Sequence, residues 1–266
     1  MCAYFKFLTR ISSSIVAFAL ISQFAFAAQN SDKESQIPVN PDGLVEVEPS
    51  YFEYTKSESR YELVPYTERR GKWSSQFSVG YSTYTPVDYA SEYSALSFED
   101  AYGFESDLPL IEVQYIFKRN FSFGSLGAEL GVGMYENKSD IESLSSTLKL
   151  YPIRLGAVLS LDGIFKNPYI VPYVAGGAYT IVFEENKDGG TDAYGGNTQV
   201  APYATAGVSF SIDWLDPEAS RTGFEENGVQ GTFIYVEGRI FFASAAARDR
   251  DFENGFDPNA GLRIEF

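Results

Sequence analysis

The chain has 266 residues, with 20 Lys+Arg against 36 Asp+Glu and a formal net charge of −16 at pH 7. Binding to nucleic-acid phosphates requires an excess of Lys and Arg, so this charge excludes a basic nucleic-acid binder. The absence of His excludes Ser-His-Asp hydrolysis and His-ligated zinc or haem. We therefore expect no cofactor and no enzymatic function that depends on histidine.

The first 27 residues have the pattern of a secretory signal peptide. Two basic residues precede an apolar stretch over 15–26, and Ala25 and Ala27 form an A-x-A cleavage site before Ala28. The apolar stretch is too short for a membrane anchor, so we expect residues 1–27 to be removed on export. The single Cys leaves with this segment, and the mature protein is not expected to contain a disulfide.

Residues 28–72 form a polar extension with scattered Pro, which we expect on the periplasmic side of a membrane. Its start, 28–43, has the composition of disordered chain. Apolar residues further along the extension allow two structures as alternatives to a flexible tether. One is a plug in a barrel lumen, and the other is an extra hairpin within 45–66.

From Trp73 onward, apolar and polar side chains alternate in segments of about 10 residues or more, separated by polar turns. This alternation is typical of a transmembrane β-barrel, in which lipid-facing and lumen-facing residues succeed one another. It predicts an all-β, antiparallel, up-and-down barrel of eight strands, or of ten if the hairpin forms. The eight segments are 73–84, 110–118, 121–135, 144–161, 169–183, 200–214, 232–242 and 258–266.

The apolar face of each segment is assigned to lipid. In the fifth segment this places Tyr173, Tyr179, Ile181 and Phe183 outward, and a change of parity near Pro152 predicts a bulge in the fourth. Outward aromatic residues near strand ends fit the interfacial girdles of membrane barrels. These residues are Tyr81, Tyr115, Phe117, Tyr179, Phe183, Trp214, Phe242 and Phe266.

The polar faces are rich in Gly, Ser and Thr and carry charges of both signs. A narrow lumen requires this, which favours a barrel over a secreted β-sandwich. An unpaired buried ion costs several kcal/mol, so we expect a network of ion pairs. Glu237 and Arg239 of the seventh segment should meet Arg263 and Glu265 of the neighbouring eighth, and the three charges of segments two to four should come together. The predicted lumen charges are Glu112, Glu129, Arg154, Glu237, Arg239, Arg263 and Glu265.

An even number of strands places both termini on the periplasmic side and the longer loops outside. The expected external loops are 85–109, 136–143, 184–199 and 243–257, and the first carries six acids and no base. Oxygen-rich loops leave binding of a divalent cation open, and 249–255 superficially resembles a calcium loop.

The connection between the sixth and seventh segments is long for a periplasmic turn. Asp216 is suited to cap a helix with Pro217 at its first position and Gly228 after its end. We therefore expect a short helix here, and a plain surface turn remains open.

Three short motifs resemble those of small outer-membrane barrels. Pro172 to Gly177 is similar to the P-Y-x-G-x-G strand openings of such families, and Leu215-Asp216-Pro217 before a polar stretch resembles a subgroup of them. Leu262, Ile264 and Phe266 share a face, and the terminal aromatic resembles a C-terminal assembly signal.

From Trp73 to Phe266 the chain resembles the eight-stranded OmpA/OmpX/OmpW-like barrels. The resemblance implies a barrel domain over 73–266, the bacterial outer membrane, the barrel assembly machinery as a partner, and a monomer. For function we expect a structural or surface-interaction role, in which acidic external loops contact outer-membrane lipid and lipopolysaccharide. The alternative is a narrow channel or transporter for ions or small apolar solutes.

Overall fold

The computed structural model describes residues 64–266 except 88, 104–107, 140, 142–144, 188–192 and 245–251. The signal peptide predicted over 1–27, its cleavage site at Ala25, Ala27 and Ala28, and the extension up to residue 63 lie outside the described residues. Residues 249–251 of the calcium-like loop also lie outside them.

The described residues form nine strands and three short helices. No helix among them is long and apolar enough to cross a membrane. In chain order the elements are α1 (Tyr66–Arg69), β1 (Trp73–Ser82), α2 (Phe98–Tyr102), β2 (Leu108–Asn120), β3 (Ser125–Lys138), β4 (Ser146–Ser160), β5 (Ile170–Lys187), β6 (Ala193–Asn197), β7 (Ala201–Ser211), α3 (Pro217–Asn227), β8 (Gly231–Phe241) and β9 (Asp257–Glu265).

Eight of these strands close into an antiparallel barrel, as predicted. Each pairs with its neighbours in chain order, β5 pairs directly with β7, and β1 pairs with β9 to close the ring. In the closing pair, Phe77 lies opposite Ile264. Because β1 and β9 are hydrogen-bonded to each other, no further hairpin fits between them, and the ten-stranded alternative is wrong.

Strand β6 lies outside the ring and extends the upper part of β5. Val182 of β5 lies opposite Asn197 of β6. The segment 184–199, which the sequence pattern predicts as a loop, therefore contains the last residues of β5 and the whole of β6. Strand β5 continues beyond its expected end at residue 183.

The two ends of the barrel differ. The terminal end carries the start of β1, the end of β9, the connections 121–124, 161–169 and 212–230, and helix α1. The loop end carries helix α2 and the longer connections. These two names are used below for the two rims.

Side chains alternate across the barrel wall. Along β2, Ile111, Val113 and Tyr115 are exposed, whereas Glu112 and Gln114 are buried. The outside is thus apolar and the inside polar, the reverse of a water-soluble protein. Exposed aromatic residues of the predicted girdles are Tyr81, Tyr115, Phe117, Trp214, Phe242 and Phe266.

The face predicted for the fifth segment is wrong. Tyr173, Tyr179, Ile181 and Phe183 are all buried, so Tyr179 and Phe183 do not belong to the outer girdle. The register explains the error, because Tyr179 lies opposite the inward-facing Arg154 of β4. Within the small residues at 175–178 the sequence has no polarity contrast from which to read the phase.

The bulge predicted near Pro152 is also wrong. The pairing of β4 with β5 runs without a shift from Ser146 to Ser160. The apparent change of parity arises because Leu148 and Leu150 point inward, as Arg154 does. They join a buried, largely aromatic cluster that fills the lumen towards the loop end, which also includes Tyr84, Tyr89, Phe98, Tyr102, Tyr135, Tyr179, Ile181, Phe183, Tyr203, Phe241 and Phe252.

The predicted helix after β7 is confirmed as α3. The Asp216 side chain accepts a hydrogen bond from the Ala219 amide at 2.9 Å, and Pro217 opens the helix. Gly228 ends it in the left-handed conformation, at φ 70°, which glycine adopts without strain.

Candidate functional site

Arg154 is the centre of a buried ion cluster halfway along the lumen. Its Nε donates to Glu112 Oε1 at 2.7 Å, and its Nη1 donates to Glu129 Oε1 at 3.1 Å. Gln114 Nε2 donates to the other oxygen of Glu129 at 2.6 Å, and the Tyr203 hydroxyl also donates to Glu129. All five side chains are buried, so the carboxylates exchange water for charged and polar partners.

Arg239 extends this cluster to the opposite wall of the barrel. Its Nη1 donates to Glu112 Oε2 at 2.6 Å and its Nη2 to Glu237 Oε1 at 2.5 Å. The Tyr173 hydroxyl donates to the second oxygen of Glu237 at 2.6 Å. Glu112 therefore joins two guanidinium groups from β4 and β8, which lie on different sides of the ring.

Arg263 is held between two aromatic rings. Its guanidinium lies 4.5 Å from the Tyr173 ring centroid and 4.6 Å from that of Tyr235. It also donates to Ser209 Oγ at 3.2 Å. A desolvated cation over a ring is stabilised by about 2 kcal/mol or more. The charges of Arg154, Arg239 and Arg263 balance those of Glu112, Glu129 and Glu237. We call these six residues the central cluster.

Glycines on the neighbouring strands make room for these long side chains. Gly131 lies opposite Arg154, and a Cβ there would come within 2.9 Å of its Nη2. Gly207 lies opposite Glu237, and a Cβ there would come within 2.6 Å of the Glu237 Cβ. The Gly content of the inward faces is thus needed for packing around charge.

A second ion cluster closes the terminal end. Lys118 Nζ lies 2.7 Å from Asp162 Oδ2 and 3.0 Å from Glu265 Oε1. Tyr66 of α1 reaches in from outside the strands and donates its hydroxyl to Glu265 Oε2 at 2.7 Å. Gln76 donates to the same oxygen at 2.8 Å.

Helix α1 is tied to this end through Arg69, its last residue, and Arg70, which follows it. Arg69 Nη2 lies 2.9 Å from Asp213 Oδ2, and Arg70 Nη1 lies 2.6 Å from Asp162 Oδ1. The last part of the extension is therefore folded against the barrel mouth. We call Arg69, Arg70, Lys118, Asp162, Asp213 and Glu265 the terminal cluster.

Asp162 lies in the turn between β4 and β5, outside the strands. Burial by itself raises the pKa of its carboxyl, but nearby Lys118, the hydrogen bond from Ser125 and the charge of Arg70 outweigh burial and hold the pKa below its usual range. The ionised form of Asp162 is thus part of the folded state.

The loop end is covered by a folded segment rather than by an open mouth. Glu185, near the end of β5, accepts hydrogen bonds from Tyr89 at 2.8 Å, Ser91 at 2.5 Å and Tyr102 at 2.7 Å. The amide of Glu92 donates to it at 3.0 Å. Because donors from 89–102 converge on one buried carboxylate, this stretch packs its aromatic side chains over the lumen. We call residues 89–102 the loop-end cap.

The structure brings together the predicted charges of segments two to four, Glu112, Glu129 and Arg154. The pairing expected between the seventh and eighth segments is wrong. Arg239 turns to Glu112 and Glu237, whereas Glu265 pairs with Lys118. The register gives the reason: Glu237 lies opposite Asn259 and Arg239 opposite Asp257, several rungs from Arg263 and Glu265.

Sequence reasoning missed several members of these clusters. Lys118 and Asp213 have the inward parity of their segments, so the alternation alone contained the signal for both. Tyr66, Arg69 and Asp162 lie outside the alternating segments, and nothing in the pattern places them in the lumen. The expected loop over 184–199 places Glu185 outside the strands, whereas β5 continues to Lys187 and includes it.

Among the described residues, no group of three or more His, Cys, Asp or Glu is placed to hold a metal ion. In the described part of the calcium-like loop, the Asn254 side chain hydrogen-bonds the Phe241 amide at 2.6 Å and also contacts Asp257. Asn254 thus ties the residues that precede β9 to the end of β8.

The residues of the predicted assembly signal lie on the outer wall at the terminal end. Leu262 and Phe266 are exposed, and Ile264 between them is half-buried. Phe266 exchanges backbone hydrogen bonds with Ser75, which extends the closing pair of strands to the last residue.

An apolar outer wall around a charged, tightly paired interior defines the class of small eight-stranded outer-membrane barrels. The chain is thus a protein of the bacterial outer membrane, and its strands rather than helices cross the bilayer.

Comparison with solved structures finds barrels of low sequence identity. Ail, the attachment invasion locus protein of Yersinia pestis, is 13% identical, with a TM-score of 0.38 over 74% of this chain and 99% of Ail. Its complex with the heparin analogue sucrose octasulfate is 12% identical, with a TM-score of 0.38 over 73% of this chain and 97% of that one. Neisserial surface protein A is 13% identical, with a TM-score of 0.36 over 73% of this chain and 96% of its own.

No protein-family model matches the chain, and no curated protein matches it by sequence. At these identities and TM-scores the solved structures carry no argument about activity or partners. The class of the protein therefore rests on the polarity and closure of its own barrel.

Proposed function

We propose that the protein is a non-conducting, non-enzymatic barrel that holds an acidic surface on the outside of the outer membrane. The observation that carries this proposal is the filled lumen, which ion pairs occupy at its centre and at its terminal end. A solute path requires mobile or absent side chains along the axis. Here the side chains are held by ion pairs, and Glu112, for example, binds two guanidinium groups.

The small size of a cavity near the terminal end supports the same conclusion. A cavity of about 10 Å³ lies between Tyr66, Asp162 and Arg263, which is roughly the space for one water molecule. An eight-stranded barrel is only wide enough for its side chains to fill the interior. The channel alternative therefore has no structural feature in its favour among the described residues.

The loop-end cap is the surface that we propose to be functional. Glu185 and the buried aromatic side chains hold it in one conformation, while Glu92, Glu99 and Asp100 are exposed. A rigid surface loses little conformational entropy on binding. Its charge selects cationic partners, or anionic lipopolysaccharide bridged by divalent ions.

The remaining partners follow from the place of the protein. Outer-membrane lipid covers the apolar wall, and the exposed face formed by Leu262, Ile264 and Phe266 serves the barrel assembly machinery. We propose a monomer, because the ring closes on itself and leaves none of its eight strands with a free edge.

Planar-bilayer recording tests the closed lumen. The purified full chain is expected to give no discrete conductance steps, with insertion checked by heat-modifiable gel mobility of the same preparation. Discrete steps from folded protein would refute the proposal and promote the channel alternative.

Charge neutralisation tests the acidic surface. Glu92→Gln with Glu99→Gln should weaken adhesion of proteoliposomes to a polylysine-coated surface. The matched control, Glu218→Gln with Glu226→Gln, removes two exposed acids from α3 at the terminal end and should weaken adhesion less. Equal losses in the two variants would show that net charge, and not the cap, determines binding.

A further inference from the structure

The terminal end of this acidic protein carries exposed positive charges beside its ion pairs. Seven of the chain's 20 lysines and arginines lie there: Arg69, Arg70, Lys72, Lys118, Arg119, Lys166 and Arg221, of which Arg221 pairs with Glu225 at 2.7 Å. Carboxylates of the terminal cluster occupy Arg69, Arg70 and Lys118. No ion pair joins the exposed Lys72, Arg119 or Lys166 to a carboxylate within the described part of the chain.

A hollow of about 480 Å³ lies on the terminal rim, and Arg70, which pairs with Asp162, forms part of its lining. Lys72 and Lys166 line it, together with the polar side chains of Thr67, Asn120 and Ser122. The volume falls within the range of about 300–1,000 Å³ that is usual for small-molecule sites. A pocket with these linings suits a compact anion that accepts several hydrogen bonds.

The rim beside the hollow is apolar. The turn residues Phe123, Ile164 and Phe165 expose 56%, 56% and 67% of their surface. Phe121 stacks on Phe123 with ring centroids 6.0 Å apart. Short turns that face water favour polar residues, so the large exposed apolar side chains in these turns indicate contact with lipid.

Arg119 joins the two kinds of surface. Its guanidinium lies 5.7 Å from the Trp73 ring centroid and 5.4 Å from that of Phe121. It thus lies on the apolar outer wall with its charge near the hollow. An amphiphile that places an anionic head in the hollow and its chains along this wall would satisfy both surfaces.

We propose that the hollow binds the phosphate headgroup of an anionic phospholipid from the leaflet at the terminal end. Lys72, Arg119 and Lys166 contact the phosphate, and Phe121, Phe123 and Phe165 contact the acyl chains. The inference requires membrane insertion but not the surface function proposed above, because the two sites lie at opposite ends of the barrel.

Native mass spectrometry of the full chain in detergent tests this site. Phosphatidylglycerol should bind more tightly than phosphatidylcholine, which has the same phosphate and chains but no net charge. Lys72→Gln with Lys166→Gln should weaken phosphatidylglycerol binding about 25-fold, since a cation near an anionic lipid surface contributes about fivefold. The matched control, Lys138→Gln with Lys149→Gln, removes two loop-end lysines and should change binding less than twofold; Lys138 is exposed, and Lys149 is half-buried and lies 3.3 Å from Glu136.

Three results would overturn the proposal. Equal binding of the two lipids would remove the role of charge, and equal losses in the two variants would remove the role of the hollow. Displacement of phosphatidylglycerol by millimolar inorganic phosphate would assign the hollow to a soluble anion instead. Heat-modifiable mobility confirms that each variant is folded. Arg119→Gln, which removes the third phosphate contact without altering the lining of the hollow, should weaken binding about fivefold even if the double variant fails to fold.

Discussion

Replacing Arg154 with methionine tests whether the central cluster holds the barrel together. The substitution keeps much of the side-chain volume but removes the hydrogen bonds to Glu112 Oε1 and Glu129 Oε1 at 2.7 and 3.1 Å. Glu112 keeps Arg239 at 2.6 Å, whereas Glu129 keeps only the neutral donors Gln114 and Tyr203. Leaving one partner of a buried ion pair costs about 3–5 kcal/mol, so Arg154→Met should destabilise the barrel by that amount.

The compensating change gives the control. Glu129→Gln with Arg154→Met removes the stranded charge, because the glutamine amide requires no cation. The double variant should therefore recover about 2–3 kcal/mol relative to the sum of the two single variants. Glu112 and Arg239 remain paired in every variant of this cycle.

Unfolding in urea from lipid vesicles measures these differences. Trp73 and Trp214 lie exposed on the outside of the barrel, so their fluorescence reports loss of contact with lipid. Gel mobility at each urea concentration provides an independent measure of folding. If Arg154→Met cost less than about 1 kcal/mol, or if the single variants were additive, the ion cluster would not be what holds the strands together.

Three further predictions concern other parts of the fold. Gly177→Ala should lower the free energy of unfolding in urea by about 1–3 kcal/mol, because its Cβ would clash with the Leu155 carbonyl. The neighbouring Gly176→Ala is the control: its Cβ meets only the Tyr203 carbonyl at 3.4 Å, so it should be nearly neutral. Equal effects of the two substitutions would contradict the packing. The folded-state pKa of Asp162 lies below its unfolded value, so its contribution to stability is present above about pH 4 and is lost as the pH falls further. The urea midpoint of Asp162→Asn should therefore depend less on pH between 3 and 5 than that of the unmodified chain, and an unchanged slope would refute this assignment. Asp216→Ala should destabilise α3 by about 0.5–2 kcal/mol, seen as faster amide exchange confined to that helix, while Asp216→Asn retains the cap and most of the protection.

The alternation of side chains predicted the barrel because its two faces meet different solvents. Lipid selects apolar residues outside and the narrow lumen selects small or paired charged residues inside, so a period of two repeats in every strand. The prediction failed where this contrast disappears. Around Gly176 and Gly177 both faces are small, and near the loop end Leu150 and Ile181 make the lumen itself apolar.

The partners of the lumen charges were less predictable than their faces. Which residues face inward depends on parity alone, but which residues meet depends on the stagger between strands. Glu112 and Arg239 come from strands far apart in the sequence and meet across the lumen at 2.6 Å. Tyr66 reaches Glu265 from a segment with no alternation, so only the folded chain reveals that contact.

The two ion clusters also determine where the charge of the protein acts. In the central cluster Glu112, Glu129 and Glu237 pair with Arg154 and Arg239, and Arg263 lies against the rings of Tyr173 and Tyr235. The terminal cluster pairs three acids with three bases. Since each cluster is neutral as a whole, the net charge of −16 arises from residues outside them. Charge on the loops acts on ions and partners in solution without altering the ion pairs that fix the lumen. Substitutions among the exposed acids of the loop-end cap should therefore alter binding while leaving the free energy of barrel unfolding almost unchanged.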